Sequence, residues 1–202
     1  MPGPGEEVQA FIGWLPEFDC HVSLIDQQHR GILAFINAWH REIKQGRVKL
    51  DNLPLYLLNK FEYLDDYSRA HLGMEEKLLE LLVRDHGFDP AEQQRHLAIH
   101  RRFIQEFMGS LADQVSTLSA NQNPALLESL ASEGLKDVAR WWFTHIKTPS
   151  PNLPAGPDHV YRVHLAALPT EAKVALLNGF ILSLEKGSLC NGPYAEHKDG
   201  HA

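Results

Sequence analysis

Cysteine is nearly absent. The 202 residues hold two, Cys20 and Cys190, too far apart to form a CxxC-type metal or redox pair. In a reducing compartment they read as free thiols rather than a disulfide. Also missing is any run of 18 or more apolar residues, which excludes a membrane-spanning helix and a membrane partner. The opening stretch MPGPGEEVQAF has neither the basic start nor the apolar core of a signal peptide, so a cytoplasmic location is expected. Basic charge is short as well. Lys and Arg number 19 against 26 Asp and Glu, a formal net charge of −7, which argues against nucleic acid as a partner. There are no internal repeats and no low-complexity tract. What remains is 44% hydrophobic and 22% charged, an ordinary globular composition, long enough for one domain with an appendage.

Histidine is the residue in excess, with twelve in the chain, several at helical spacings. Four long amphipathic patterns carry them. The first runs from Ser23 to about Gln45, with Leu24, Ile25, Ile32, Leu33, Phe35, Ile36 and Trp39 at three- and four-residue steps and Gly46 as its stop. The second runs from about Pro54 to Arg84, its stripe reading Leu55, Leu58, Phe61, Leu64, Tyr67, His71, Met74, Leu78 and Leu81. Asp89-Pro90-Ala91-Glu92 is a start signal: a capping aspartate, proline at the first helical position and an acid three residues after the cap. The third helix then continues to about Leu118, and the fourth spans about Pro124 to Lys147, stopped by Pro149 and Pro151.

Four helices with short connections give an all-α, up-and-down four-helix bundle. The expected organisation is an N-terminal arm over residues 1–22, the bundle over 23–148, and an extension over 149–202. PSPNLPAGPD, residues 149–158, reads as a stiff linker. Thr170–Lys186 reads as an additional amphipathic helix, with Val174, Leu176, Leu177, Phe180, Ile181 and Leu184 facing the bundle, and the last dozen residues as a loose tail.

Residues four apart on a helix share a face. His71/Glu75 and His96/His100 are therefore two clamps on two helices, both set among apolar neighbours, where unpaired polar groups are costly unless a metal offsets them. Taken singly, such pairs arise by chance on many solvated helices. The other two helices each add one histidine at a matching height. The start of helix one (His29), the late part of helix two, the early part of helix three and the end of helix four (His145) meet at one end of an up-and-down bundle. Di-iron carboxylate sites are assembled from facing helices in this way. His40 lies eleven positions after His29, about 16 Å along the helix, and reads as structural. His21, His86, His159, His164, His197 and His201 read as solvated or locally bonded, with His21 and Cys20 nearest the open end of the site.

The segments IDQQHRGIL, YSRAHLGMEEKLL, HGFDPAEQQRHLAIHRRF and WWFTHI resemble the successive signatures of hemerythrin-type domains, the bacterial ones in particular, over residues 14–150 and including Trp14. That resemblance implies two non-heme irons. One takes histidines matching His96, His100 and His145; the other takes histidines matching His29 and His71. A bridging glutamate matches Glu75. The family's second bridge, an aspartate five positions after the last histidine, is matched by Ser150, and no acid lies between His145 and Asp158. Three outcomes are open: solvent fills the gap, another carboxylate (Asp65, Asp66, Asp158 or Glu185) swings in, or one metal binds well and the other poorly. The reading adopted is solvent, and thus an atypical centre lacking the second carboxylate.

The resemblance implies binding of O2, or of another small diatomic or anionic ligand, for storage, delivery or sensing. No nucleophile with its base suggests a different chemistry. Two ferrous ions bring four positive charges. The family's two carboxylates and a bridging hydroxide leave one uncompensated, and serine in place of aspartate leaves two, a centre more attractive to anions. Trp142, three residues before His145, is expected to fill part of the ligand pocket. The rival readings are a redox enzyme acting on peroxide, O2 or nitric oxide at the same centre, and a metal-poor interaction module whose extra helix docks a partner.

Overall fold

A computed structural model describes residues 11–46, 52–120, 124–147 and 156–186. Among them there are seven α-helices and no strand: α1 (Ser23–Lys44), α2 (Leu53–His86), α3 (Pro90–Arg102), α4 (Gly109–Ala120), α5 (Pro124–Ile146), α6 (Pro157–Ala167) and α7 (Thr170–Lys186). None is long and apolar enough to cross a membrane.

The helix ends follow local chemistry. The backbone after α1 and after α2 turns left-handed at Gly46 (φ 60°) and Gly87 (φ 69°), conformations a residue with a Cβ adopts only with strain. Asp89 caps α3, its carboxylate accepting from the Ala91 N–H at 2.8 Å. The third member of the bundle is not one continuous α-helix. α3 and α4 are joined by a π-helical turn, Phe103–Met108, whose widened backbone lies one turn beyond His100. There Phe103 stacks on Trp141 with ring centroids 3.7 Å apart.

α1 lies against α2 and α5, and α3–α4 closes the bundle against α2 and α5. Its core holds Ile32, Ile36, Trp39, Leu57, Phe61, Leu64, Leu111, Val138 and Trp142, all buried. The stripe of α2 departs from expectation at its start, where Leu55 and Leu58 are exposed and Leu53 and Leu57 are the buried pair. The burial phase there is set by the packing partner, not by apolarity alone.

α2 is 34 residues long, about 51 Å at 1.5 Å per residue, and its later half carries a second core. Met74, Leu78, Leu79, Leu81 and Leu82 pack there with Cys20, Val22 and Ile25 from before and within α1, and with Tyr161, Leu165, Leu176, Phe180 and Leu184. The C-terminal residues thus form a hairpin of two helices, α6 on α5 and α7 on α2. Residues 157 and 158, read as the end of a linker, are the first turn of α6, and the rest of that stretch up to 155 lies outside the described residues. On α7 the inward stripe is Leu176, Phe180 and Leu184, with Leu177 half-buried beside it. Val174 and Ile181, expected to face the bundle, are 54% and 51% exposed. At about 100° per residue they lie roughly 100–120° around the helix from Phe180, off the buried arc.

Candidate metal centre

Between the two cores lies a layer of buried polar groups. On α1, His29 sits between Ile25, which belongs to the second core, and Ile32, which belongs to the first. On α2 the same boundary falls between Leu72 and Met74, flanked by His71 and Glu75. α3 adds His96 and His100, and α5 adds His145. All six side chains are buried.

Glu75 is their common centre. Its Oε1 lies 3.4 Å from His29 Nε2 and 3.5 Å from His71 Nε2. Its Oε2 lies 3.7 Å from His96 Nε2, 3.4 Å from His100 Nε2 and 3.2 Å from His145 Nε2. One carboxylate therefore faces two imidazoles with one oxygen and three with the other. The groups Glu75/His96/His100/His145 and His29/His71/Glu75 each gather their ligand atoms within 4.8 Å.

A second carboxylate stands in this layer, where the expectation was solvent. Asp158, on the first turn of α6 and 2% exposed, enters the same layer. Its Oδ2 lies 3.3 Å from His29 Nε2, while its Oδ1 lies 3.1 Å from His145 Nε2 and 3.5 Å from His96 Nε2. The physical reason is that α6 is docked, which helical spacing within the bundle could not reveal. Of the other acids considered, Asp65 pairs with Arg69 at 2.7 Å and Asp66 is exposed. The side chain of Glu185, and Ser150 itself, lie outside the described residues. A second group also arrives unforeseen: the Tyr161 hydroxyl, fully buried, donates to Glu75 Oε1 at 2.9 Å. Asp158 was one of four acids the sequence offered, and a signal for the helix that carries both groups lies in the chain. Gly156-Pro157-Asp158 is a helix start with proline at the first position and an acid in the first turn, and Asp158, Tyr161 and Leu165 follow at three- and four-residue steps.

Two outer contacts orient the rings. His71 Nδ1 donates to Gln28 Oε1 at 2.9 Å, and His100 Nδ1 donates to Glu76 Oε1 at 3.1 Å, each turning the Nε2 lone pair inward. The Trp142 ring, buried, packs 5.2 Å from that of His71, and Trp141 stacks on His145 at 4.5 Å. Cys20 is buried beside Asp26 and His29, but burial first and the Asp26 charge second push its thiol far above the usual range. That makes it an inert neighbour rather than a thiolate. His21 is exposed and contacts Asp19, and His40 stacks on Phe11 at 4.3 Å.

The charges do not settle among themselves. Burial alone would lower the pKa of His29, but the close carboxylates of Asp158 and Glu75 raise it to about 9, and His145 rises to about 10 for the same reason. For His71 and His96 burial wins and the pKa falls. Burial and the Glu75 charge would raise Asp158, but His145 and His29 hold it at about 2. Even so, the Nε2 atoms of His29, His71, His96 and His100 and both oxygens of Asp158 have no hydrogen-bond partner. The imidazole nitrogens and carboxylate oxygens of the layer stand 3.1–3.7 Å apart. Orphaned buried groups of this kind are costly. Neighbouring ligands of an octahedral divalent ion, each about 2.1 Å from it, lie about 3 Å from one another, so the cluster fits cations better than it fits itself. Five imidazoles and two carboxylates suit iron.

A family model described as hemerythrin HHE cation binding domain matches residues 20–149. The chain is similar to a bacteriohemerythrin of Stenotrophomonas maltophilia, 24% identical over 139 residues, 68% of this chain and 76% of that protein. It is also similar to bacteriohemerythrins of Pseudomonas paraeruginosa and Pseudomonas aeruginosa, each 27% identical over 138 residues, with the same shares covered. No solved structure matches the chain.

Proposed function

The chain belongs to the hemerythrin HHE cation-binding family, and from that premise we propose that it is a non-heme di-iron protein that binds O2 reversibly. His29 and His71 would hold one iron, and His96, His100 and His145 the other, with Glu75 shared between the two sets. The observation that carries this reading is the division of Nε2 atoms about the two oxygens of Glu75, two on one side and three on the other. The two-histidine side has fewer protein donors, so the iron there would keep more positions for an exogenous ligand.

Iron held there would supply reversible electron transfer to a diatomic ligand. The residues of the chain set the conditions for that exchange. Ile25, Ile32, Leu72, Leu78 and Trp142 wall the layer and keep bulk water, and hence protons, away. Gln28 and Glu76 keep the imidazoles in their ligating tautomer. Tyr161 is a hydroxyl inside that wall, able to share a proton with Glu75. A depression lined by Arg69, Leu72, Gly73, Glu76, His100 and Arg101 reaches the outer edge of His100 and is where a small molecule would approach the layer.

The test is spectroscopic. Loaded with ferrous iron under argon and then exposed to air, the protein should gain a visible absorption band that disappears on deoxygenation and returns over several cycles. Bleaching that is not reversed overturns reversible binding. One observation, the enclosed Tyr161 phenol, favours a second reading, reduction of peroxide, O2 or nitric oxide at the same centre. Sustained turnover of peroxide with an added electron donor would establish that reading in place of the first.

A further inference from the structure

The C-terminal hairpin carries a buried carboxylate into the layer of imidazoles. Asp158 is 2% exposed, and its oxygens make no hydrogen bond of good geometry; their neighbours are the imidazoles of His29, His96 and His145. A carboxylate so enclosed is held by cationic or metal-ligating neighbours at both oxygens. Its two oxygens repeat the division seen at Glu75: Oδ2 faces His29, on the two-histidine side, and Oδ1 faces His96 and His145, on the three-histidine side. Two carboxylates span the same two groups of imidazoles, and Asp158 comes from beyond the segment that matches the family model.

The helix that carries Asp158 is held from several directions. Gly156 N–H donates to Lys147 O at 3.1 Å, and a Cβ at position 156 would collide with the backbone carbonyls of Thr144 and His145. His164 Nε2 donates to His86 O at 2.9 Å, which ties α6 to the end of α2. Tyr161 and Leu165 from α6 and Leu176, Phe180 and Leu184 from α7 are buried in the second core. Asp158 therefore reaches the site only while the hairpin is docked.

We propose that Asp158 is the second bridging carboxylate ligand of the metal pair, delivered by the docked α6–α7 hairpin, so that metal binding and hairpin docking stabilise each other. The inference rests on the di-metal reading above. With Asp158 counted, the excess positive charge of two ferrous ions and one hydroxide returns from two to one. A ligand that binds only the docked form stabilises that form by mass action, and the docked form by the same amount favours the ligand. Undocking removes one bridge, loosens the second metal and opens the layer to solvent.

The experiment uses the full chain and ferrous iron under argon. Iron per chain is measured after desalting, and hydrogen–deuterium exchange is followed in peptides from residues 157–186, with and without iron. The wild-type chain should retain about two irons, and loading should slow exchange in α6 by about tenfold or more. Asp158→Asn should retain about one, and iron should no longer slow exchange in its α6. Wild-type chain that takes up no iron overturns the metal-centre reading itself. Wild-type chain that holds two irons while exchange in α6 is unchanged by loading, or Asp158→Asn that retains two, overturns the role of Asp158 alone. The exchange comparison on wild-type protein stands even if the variant fails to fold.

Discussion

The two cores of this molecule are built from the same residue types but depend on different things. The bundle core, around Trp39, Phe61, Leu64 and Trp142, is closed by four chain segments that follow one another in sequence, the last, α5, returning to lie against the first, α1. The second core joins the late half of α2 to segments far from it, Cys20–Ile25 on one side and Tyr161–Leu184 on the other. Among the described residues the first core draws none from the last forty-odd; the second draws five buried ones. The metal layer lies where they meet, and draws six ligand candidates from the first body and Asp158 from the second. A site at such a boundary inherits the stability of the weaker partner.

That contrast can be broken at either end. The largest effect is expected for Trp39→Ala, which empties a fully buried site in the bundle core and should cost about 3–5 kcal/mol, visible as a lower midpoint in urea and loss of the whole cooperative transition. Phe180→Ala removes a ring of similar burial from the hairpin side. It should lower the global midpoint less, because the bundle survives, while exchange in α6 and α7 rises and iron retention falls. An equal global loss from both substitutions would show one cooperative unit, not two.

A third prediction concerns protons. In the metal-free protein the raised pKa values of His29, about 9, and His145, about 10, leave both cationic at pH 7.5, and a metal must displace those protons. Iron uptake at that pH should release about two protons per chain from these histidines, besides any proton lost by water that becomes the bridging hydroxide, measured with an indicator dye in weak buffer, and affinity should rise with pH up to that range. The sign for stability is opposite. The His–carboxylate attraction is fully present below the unfolded value near 6.5 and fades as pH rises through 9 and 10, so the metal-free protein loses stability in alkali and the loaded protein does not. Release of no protons would place both histidines neutral before loading. The smallest effect is expected for Val174→Ser and Ile181→Ser, both on the exposed side of α7, which should shift thermal stability by less than about 0.5 kcal/mol. A larger loss would mean that this face is covered in solution.

The bundle was legible because its information is periodic. His29, His71, Glu75, His96, His100 and His145 each sit at a register that the helical repeat and the alternating chain direction bring to one end, and the structure gathers them around Glu75. The hairpin was half legible. Thr170–Lys186 reads as a helix, but its two β-branched residues at 174 and 181 drew the stripe too wide, since apolarity does not say which part of a broad face meets a neighbour. α6 was hidden behind the prolines that precede it, and Pro157, read as part of a linker, is the opening residue of a helix. The π-turn at Phe103–Met108, where Phe103 stacks on Trp141 across the bundle, leaves no mark in the apolar pattern. Asp158 was legible only as one candidate among several, because nothing in its spacing from His145 reports the path of the chain between them.

The seat of Gly156 against the carbonyls of Thr144 and His145 has a bearing on inheritance. Backbone meets backbone there, so the height at which Asp158 stands over His145 is gauged by a mechanical stop instead of by the side chains that happen to surround it. The outer surfaces of α6 and α7 are then free to drift, and the prolines upstream to change in number, without moving the acid. One added methyl group at position 156 shifts that gauge, whatever else is conserved. Relatives that keep a serine where Ser150 stands should therefore be read for a glycine ahead of a displaced aspartate, even where the intervening letters share nothing.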